Sequence, residues 1–472
     1  MKLSINKKFN TVVRTTFNDN ITCDTCRLTV DQGFFTPDYK TFFSTIDANG
    51  EGKIFFGLGN ESDSNDYKII NAFYTLAQEM KKYKIYNFEL KLPKQFNNSQ
   101  ILKSLEGILH EEYKFETYKT EKSDFHELEI SLRFSDEIST NFEGIEEQFN
   151  ELQNLIKAVN LTKELVNIPS NDLYPESFAN MISKEFENTD VKVEVYDDQN
   201  MKEFGMEAAL QVGLGSDKKP KLIVLKYMPL DEKEHLTFVG KGVTYDSGGY
   251  AIKPATGMVT MKSDMAGSAS VVGLFKALNE NKIQKNVVGV IIAVENMISG
   301  NAFKNGDIIS SMKGSTIEIV NTDAEGRLTL ADAVYYAATK LESKAIVDLA
   351  TLTGACVVAV GDKVTGMLSN NNDIAKIMED SFEKSSEYVN RFNIFPPHRN
   401  QVKSKIADLK NSTVGGAGMI TAGVFIEHFV EEKPWVHLDI AGNSYTSLGY
   451  DFYRVGGTGN PVKSIYEFTK QY

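Results

Sequence analysis

Continuous apolar runs alternate with amphipathic ones through the second half of the chain, and this alternation limits the fold more than any other feature. The strand-like runs expected in one sheet include "KLIVLKYM", "HLTFVGKG", "NVVGVIIAVEN", "STIEIVNT" and "KAIVDLATLTG", and helix-like segments such as "GSASVVGLFKALNEN" and "RLTLADAVYYAATKL" lie between them. This pattern is typical of a mainly parallel sheet whose two faces are covered by helices. Such α/β sheets bind ligands beyond the carboxyl ends of their strands.

The chain has 472 residues, which suits two domains. The first part mixes strand-like runs, such as "KIFFGLG" and "ELEISLRF", with helical segments such as "NAFYTLAQEMKKY". From Ile145 onward, apolar residues recur at helical spacing until Pro169 ends the run. We therefore predict a smaller N-terminal α/β domain over 1–144, a connecting helix over 145–168 and a larger C-terminal domain over 169–472 with the mainly parallel central sheet.

The overall charge excludes some classes of partner. The formal net charge is −13 at pH 7, which argues against binding of nucleic acid by the molecule as a whole, although a local basic patch stays open. No apolar run is long enough to span a bilayer, and no signal-peptide core follows the first lysines. We therefore expect a cytoplasmic protein without a membrane partner.

Three cysteines, Cys23, Cys26 and Cys356, supply no disulfide framework. The segment "CDTC" could be a redox pair or half of a zinc site. The chain has no second C-x-x-C and no nearby cluster of histidines, so we expect two ordinary reduced thiols at this position.

Charged residues collect just past the predicted strands. Three segments supply them, namely "KGVTYDSGGYAIKP", "MVTMKSDMAGSA" and "NTDAEGRL", the last of which follows the alternating stretch "STIEIV". In an extended backbone the side chains of Asp323 and Glu325 would point to the same side. The whole set contains four carboxylates and three cations: Asp246, Asp264, Asp323, Glu325, Lys241, Lys253 and Arg327.

Each of these residues alone has a purely structural interpretation. Asp264 and Asp323 could cap helices, the lysines could be solvated surface charges, and Arg327 could pair with Glu325. Taken together, four carboxylates in one crevice repel each other unless cations compensate them. Two bridged divalent metal ions would do so, and carboxylate oxygens suit Mg²⁺, Mn²⁺ or Zn²⁺.

Four segments, "VGKGVTYDSGGYAIKP", "MKSDMAGSA", "NTDAEGRLTLADA" and "DLATLTGA", closely resemble the leucyl aminopeptidases, which are dinuclear metallo-exopeptidases. The resemblance implies five metal ligands, of which Asp246 and Glu325 would bridge the two ions. It also implies that Lys253 polarises the scissile carbonyl and that Arg327 holds a bicarbonate acting as general base. The implied ligands are Lys241, Asp246, Asp264, Asp323 and Glu325.

The same resemblance implies a substrate and an assembly. Met261 matches a residue of the side-chain pocket, and Thr351, Leu352 and Gly354 match a segment that lines the substrate cleft. The expected reaction removes N-terminal residues, with Leu and other apolar residues preferred, from short peptides with a free N-terminus. The expected cofactors are Mn²⁺ or Zn²⁺, with Mg²⁺ or Co²⁺ as alternatives, and the expected assembly is a homohexamer. Two other functions stay open, a dinuclear metal phosphohydrolase and a DNA-binding regulator with the same fold.

Overall fold

A computed structural model describes residues 1–132 and 144–472, which form two compact units. Unit 1 comprises Met1–Ile156 and the short segment Gly449–Arg454, and unit 2 comprises Lys157–Leu448 and Val455–Tyr472. The C-terminal part of the chain therefore contributes six residues to the N-terminal unit.

Unit 1 contains a six-stranded sheet with helices packed against it. The strand order is β1-β6-β5-β2-β4-β3, and every neighbouring pair is parallel except β3 and β4. Rings such as Phe56, Phe73 and Phe88 fill its core. The elements are β1 (Lys2–Ile5), β2 (Thr11–Thr16), α1 (Asp24–Asp31), β3 (Phe42–Ile46), β4 (Gly52–Gly57), α2 (Asp66–Lys82), β5 (Asn87–Lys91), α3 (Asn98–Glu111), β6 (Glu129–Leu132) and α4 (Ile145–Asn167), of which α4 continues into unit 2.

Unit 2 contains the remaining helices and strands of the described residues. They are α5 (Pro175–Glu185), β7 (Val191–Tyr196), α6 (Asp198–Glu203), α7 (Glu207–Gly213), β8 (Lys221–Tyr227), β9 (His235–Asp246), α8 (Ala255–Met258), α9 (Ala266–Glu280), β10 (Val287–Asn296), β11 (Ile308–Ser310), β12 (Thr316–Glu318), α10 (Gly326–Lys340), β13 (Ser343–Ala350), α11 (Gly354–Val360), β14 (Val364–Ser369), α12 (Asn372–Ser385), β15 (Tyr388–Arg391), α13 (Pro396–Gln401), β16 (Leu409–Lys410), α14 (Gly418–Glu427), β17 (Trp435–Asp439), β18 (Tyr445–Thr446), β19 (Gly456–Gly457) and α15 (Val462–Gln471).

The central sheet of unit 2 has eight strands in the order β15-β14-β17-β13-β9-β10-β8-β7. Its middle strands β17, β13, β9 and β10 are parallel to their neighbours within this group, whereas β7, β8 and β14 add antiparallel pairs toward the edges. Strand β9 lies in the centre, and nearly every residue in it is buried. The predicted α/β class, with a smaller N-terminal unit and a larger, mainly parallel C-terminal sheet, is confirmed.

Helices α9 and α10 contact β9 from opposite faces. A Cβ at Gly240 would lie 2.5 Å from the Cα of Ser268 in α9, whereas the side chain of the next residue, Lys241, reaches Gly326 in α10. Successive residues of a strand point to opposite faces, so this alternation directs the lysine toward the N-terminus of α10.

Among the described residues, no helix is both long and apolar enough to cross a bilayer.

One expectation about the sheet is wrong. The stretch "STIEIV" does not join the central sheet; β12 pairs instead with β11 and β16 in a separate three-stranded sheet. The stretch alternates buried apolar residues, Ile317 and Ile319, with partly exposed polar ones, whereas a central strand of a covered sheet is apolar on both faces. Asp323 and Glu325 therefore do not follow a strand of the same sheet as Asp246.

Candidate metal centre

All eleven site residues predicted from the sequence line one cleft of about 710 Å³ in unit 2. The cleft lies at the carboxyl ends of β9 and β13, as expected for a parallel sheet. Its residues come from β9 and the loop after it, the turn before α9, the turn before α10, and the segment between β13 and α11. They are Lys241, Asp246, Lys253, Met261, Asp264, Asp323, Glu325, Arg327, Thr351, Leu352 and Gly354.

The last residue of β9, Asp246, is held by two hydrogen bonds. Its Oδ1 accepts one from the backbone N–H of Gly248 and one from Nδ2 of Asn296, each at 2.8 Å. Gly248 has a φ of +85°, and a Cβ there would lie 2.9 Å from Oδ1 of Asp323. Glycine at this position thus permits both the turn and the approach of the second carboxylate.

Asp264 does not cap a helix, so that structural interpretation is wrong. It follows a short 3₁₀ turn over Met261–Ser263, and Met265 occupies the N-cap position of α9. Its Oδ1 accepts hydrogen bonds from Nζ of Lys241 and from Oγ1 of Thr351, both at 2.7 Å. The carboxylate is therefore aimed at Lys241 and away from the backbone of the following helix.

Asp323 and Glu325 converge through a turn, and the extended backbone assumed from the sequence is wrong. Glu325 has helical dihedral angles, φ −80° and ψ −35°, and its side chain makes no capping hydrogen bond to α10. Oxygen atoms of Asp246, Asp323 and Glu325 nevertheless all lie within 4.8 Å of one another. The carboxylates therefore converge as predicted, but through a turn and not through an extended backbone.

The two lysines are not solvated surface charges. Nζ of Lys241 lies 2.7 Å from Asp264 and 3.0 Å from Glu325, and its side chain is only 3% exposed. Nζ of Lys253 lies 2.7 Å from Asp246 and also pairs with Asp323. Each lysine thus bridges two carboxylates of the cluster.

The pKa shifts follow from burial and from these pairs. Burial lowers the pKa of Lys241, but the carboxylates of Asp264, Glu325 and Asp246 raise it above its ordinary value. Burial, together with the charge of Glu325, raises the pKa of Asp246 to about 6. Burial opposes ionisation of Glu325 as well, but Lys241 and Lys253 bring the net pKa of this carboxyl below its ordinary value. The cluster therefore needs positive charge to hold its carboxylates ionised.

Apart from Oδ1 of Asp323, which is ion-paired with Lys253, two buried carboxylate oxygens of the cluster have no hydrogen-bond partner within residues 1–132 and 144–472. They are Oδ2 of Asp264 and Oε2 of Glu325. A buried acceptor without a partner costs about 1–3 kcal/mol, and more when it carries charge. Four carboxylates with only two lysines between them, and with free oxygen atoms, fit the requirements of divalent metal ions.

Arg327 is the second residue of α10 and is 8% exposed. Its Nη1 donates a hydrogen bond of 2.7 Å to the backbone carbonyl of Asn411, and not to Glu325 as the structural interpretation assumed. Burial lowers the pKa of this guanidinium to about 10, against the opposing charges of Glu325 and Asp439. Its buried Nε has no partner in the part of the chain that the structure describes, which suits an anion at this position.

The segment between β13 and α11 forms one wall of the cleft, and Asp439 holds it. Oδ1 of Asp439 accepts a hydrogen bond from the backbone N–H of Leu352 at 3.2 Å, and Oδ2 accepts one from Oγ1 of Thr353 at 2.7 Å. Gly354 begins α11, and Met261 begins the 3₁₀ turn that also lines the cleft.

Three residues that position this site were not predicted from the sequence. Asn296 orients Asp246, Asn411 contacts Arg327, and Asp439 holds the segment between β13 and α11. Asn296 and Asp439 end β10 and β17, and Asn411 directly follows β16. The rule that polar residues at strand ends are functional candidates, applied to every strand, would have found them.

Comparisons with known proteins identify the family of this chain. Residues 160–466 match the family model for the cytosol aminopeptidase family, catalytic domain. The chain is 41% identical to a probable cytosol aminopeptidase of Treponema denticola, covering 99% of this chain and 98% of that protein. It is also 41% identical to one of Clostridium tetani, covering 93% and 92%.

A solved structure is similar over almost its full length. It is the bottromycin maturation enzyme BotP in complex with Mn, with a TM-score of 0.86, 26% sequence identity, and coverage of 98% of this chain and 99% of that chain. These matches confirm the resemblance and the enzyme class that the sequence motifs predicted. The chain belongs to the cytosol aminopeptidase family and is a metallo-exopeptidase, a hydrolase.

Proposed function

We propose that this enzyme removes apolar N-terminal residues, leucine among them, from short peptides, and that it uses two divalent metal ions to do so. The observation that carries the proposal is the convergence of four carboxylates in one cleft, with unpartnered oxygens on Asp264 and Glu325. The five residues that would hold the ions are Lys241, Asp246, Asp264, Asp323 and Glu325. Lys241 can act as a ligand only as the neutral amine, so binding at this residue would release a proton.

Mn²⁺ is the first metal to test, because the similar BotP structure contains Mn. Zn²⁺, Mg²⁺ and Co²⁺ are the others, since carboxylate oxygens and one nitrogen do not select strongly among these ions. When bound, the ions supply Lewis-acid chemistry: they polarise a carbonyl and lower the pKa of water.

The protein's own groups supply the remaining steps. Nζ of Lys253 would donate a hydrogen bond to the oxyanion that forms as water adds to the scissile carbonyl. Arg327, with its unpartnered Nε, would hold a bicarbonate ion that takes a proton from water and passes it to the leaving amine. The backbone around Thr351 and Gly354 would bind the peptide.

The wall of the cleft favours an apolar side chain. Met261, Leu352, Ala355 and Val357 all line it, and an apolar pocket gains about 25 cal/mol for each Å² of apolar surface that it removes from water. The free amine of the substrate would enter the acidic cluster, which accounts for cleavage at the N-terminus only.

The testing experiment is hydrolysis of leucyl-para-nitroanilide after chelation and after addition of each metal ion. We expect activity to disappear with the chelator, to return with at least one metal, and to be absent with the N-acetylated substrate. Equal cleavage of the acetylated substrate would contradict the requirement for a free amine. A parallel assay with aryl phosphates tests the phosphohydrolase alternative, which would also use clustered carboxylates with a lysine and an arginine but is disfavoured because the sequence has no motif typical of a phosphate-binding loop.

The role of Arg327 is tested with bicarbonate. The Arg327→Ala variant should lose most activity and regain part of it as bicarbonate is added, because the anion itself, and not the guanidinium, moves the proton. The wild-type enzyme should lose activity in buffer freed of carbon dioxide. If neither protein responds to bicarbonate, the anion has no part in the reaction.

The assembly and location are also proposals that rest on the family. A homohexamer is expected, and light scattering of the purified protein should give about six chain masses.

A cytoplasmic location is expected, and fractionation of the cells that produce the protein tests it. Binding to DNA should be absent in gel shifts at two salt concentrations, given the net charge of −13.

A further inference from the structure

The Cys23-x-x-Cys26 pair lies at the N-terminus of α1 in unit 1, and the peptidase reaction does not use it. Cys23 is the N-cap residue, with extended dihedral angles of φ −102° and ψ 120°. Its Sγ accepts a hydrogen bond of 3.4 Å from the backbone N–H of Cys26. The sulfur atom thus takes the place of the oxygen that caps most helices, and it faces the positive end of the helix.

The two sulfur atoms differ in their exposure to solvent. Cys23 is partly exposed, whereas Cys26 is completely buried against Phe35 and Phe55. Cysteines that react with external partners are partly exposed and lie in an electropositive environment. Cys23 satisfies the first condition, and the buried Cys26 does not.

The surroundings also stabilise a thiolate at Cys23. The neighbouring Cys26 thiol lowers the pKa of Cys23 to about 6 against the opposing effect of burial, and the Arg14 guanidinium of β2 lowers it further. The adjacent Cys23 sulfur, together with burial, raises the pKa of Cys26. Nη1 of Arg14 is buried and has no hydrogen-bond partner within the described ranges 1–132 and 144–472, so a nearby anion would satisfy it.

A zinc site is the weaker interpretation of this pair. A structural zinc site needs four ligands, usually cysteine or histidine. Among the described residues, three possible metal ligands converge at Asp246, Asp323 and Glu325, and no such group surrounds the two cysteines. The geometry is that of two neighbouring thiols, one accessible and one protected.

We propose that Cys23 and Cys26 form a thiol–disulfide exchange site for small-molecule disulfides, in addition to the peptidase centre. The Cys23 thiolate attacks one sulfur of a disulfide R–S–S–R, which forms a Cys23–S–S–R bond and releases RS⁻. Cys26 then loses its proton to RS⁻ or water and attacks Sγ of Cys23, which forms the Cys23–Cys26 bond and releases a second RS⁻. Counting the proton that Cys23 releases when it ionises, the protein loses two electrons and two protons, and the disulfide is reduced to two thiols.

The test exposes the full-length, metal-loaded enzyme to oxidised glutathione and identifies the products by mass spectrometry after acid quenching. The wild-type protein should lose two hydrogens between Cys23 and Cys26, whereas Cys26→Ser should accumulate glutathione on Cys23. Cys23→Ser should form no adduct on Cys26. An adduct on Cys26 in that variant, or a wild-type adduct that stays on Cys23, would overturn the proposal.

A measurement on the unaltered protein guards against variants that fail to fold. At pH 7, limiting iodoacetamide should alkylate Cys23 faster than the buried Cys356 by about tenfold or more, because thiolate content and access both favour it. Cys356 serves as the internal control, since it is buried and burial raises its pKa to about 12. Equal alkylation rates at the two cysteines would contradict the exchange site. A protein that stays reduced in excess oxidised glutathione would contradict it as well.

Discussion

Lys253 has the surroundings expected of a group that stabilises negative charge formed during the reaction. Burial lowers its pKa, but the charges of Asp246 and Glu325 raise it above its ordinary value, so the side chain carries its proton at neutral pH. Its side chain is 17% exposed and lines the cleft, whereas that of Lys241 is 3% exposed and lies between two carboxylates. The two lysines therefore suit different roles: Lys253 can reach a substrate, and Lys241 is placed to act as a ligand.

Replacing Lys253 with alanine should slow turnover without removing the metals. Loss of one preorganised oxyanion donor typically costs about 10²–10³-fold in kcat. Steady-state kinetics and metal analysis of the same sample check this expectation. Lys376→Ala is the control, because Lys376 is an exposed lysine with an ion pair to Asp380. A fall in metal content that matches the fall in kcat would assign Lys253 to metal binding instead.

Asn296 should influence metal affinity although it is not predicted to bind the metal. It is fully buried, and its Nδ2 donates to Oδ1 of Asp246 and to the backbone carbonyl of Thr322. Asn296→Leu should weaken metal binding by about 10–100-fold, since hydrogen bonds to a ligand fix its orientation. Activity measured against metal concentration should show a shifted midpoint and a recovered plateau. Asn370→Leu, which removes hydrogen bonds to Trp435 and Lys433, should leave the midpoint unchanged.

At the level of secondary structure elements, periodicity in the sequence located the strands that are buried on both faces. The run "HLTFVGKG" lies in β9, and "NVVGVIIAVEN" corresponds to β10, because a central strand requires apolar residues on both sides. The assignment of "STIEIV" to the same sheet was wrong. An alternating strand can lie at the edge of a covered sheet or in a small separate sheet, and only its pairing with distant strands shows which of the two it joins. The dihedral angles of Glu325 could not be predicted either, because they depend on how α10 begins.

The start of α10 limits what residue 326 can be. A Cβ added to Gly326 would lie 2.7 Å from Nζ of Lys241, much closer than real Cβ contacts allow. Gly326→Ala should therefore displace the lysine and reduce activity by about 10²-fold, even though alanine favours a helix more than glycine does. Kinetic measurements at saturating metal check this. Gly300→Ala, where nothing lies within 4 Å of the added atom and the residue is outside the cleft, should keep its activity.

At the scale of the whole molecule, an acidic chain concentrates four carboxylates in one buried cluster of unit 2. With a net charge of −13, the protein has no general excess of cations to offset them, and the two lysines of the cluster compensate only half of their charge. Unfolding separates these carboxylates and destroys the site. Metal binding is therefore expected to be coupled to the stability of unit 2.

Removal of metal should lower the unfolding temperature, and its return should raise it. A metal at 100 times its Kd stabilises the folded state by about 2.7 kcal/mol for each site if the unfolded chain does not bind it. Because the chain has two units, calorimetry should follow the transition that responds to metal, and a single global value would not be well defined. Asp323→Asn should reduce the metal-dependent shift, since its carboxylate belongs to the converging triad. Asp380→Asn, a change on the surface helix α12, should keep the full shift, and equal shifts in both variants would place the metal outside the cluster.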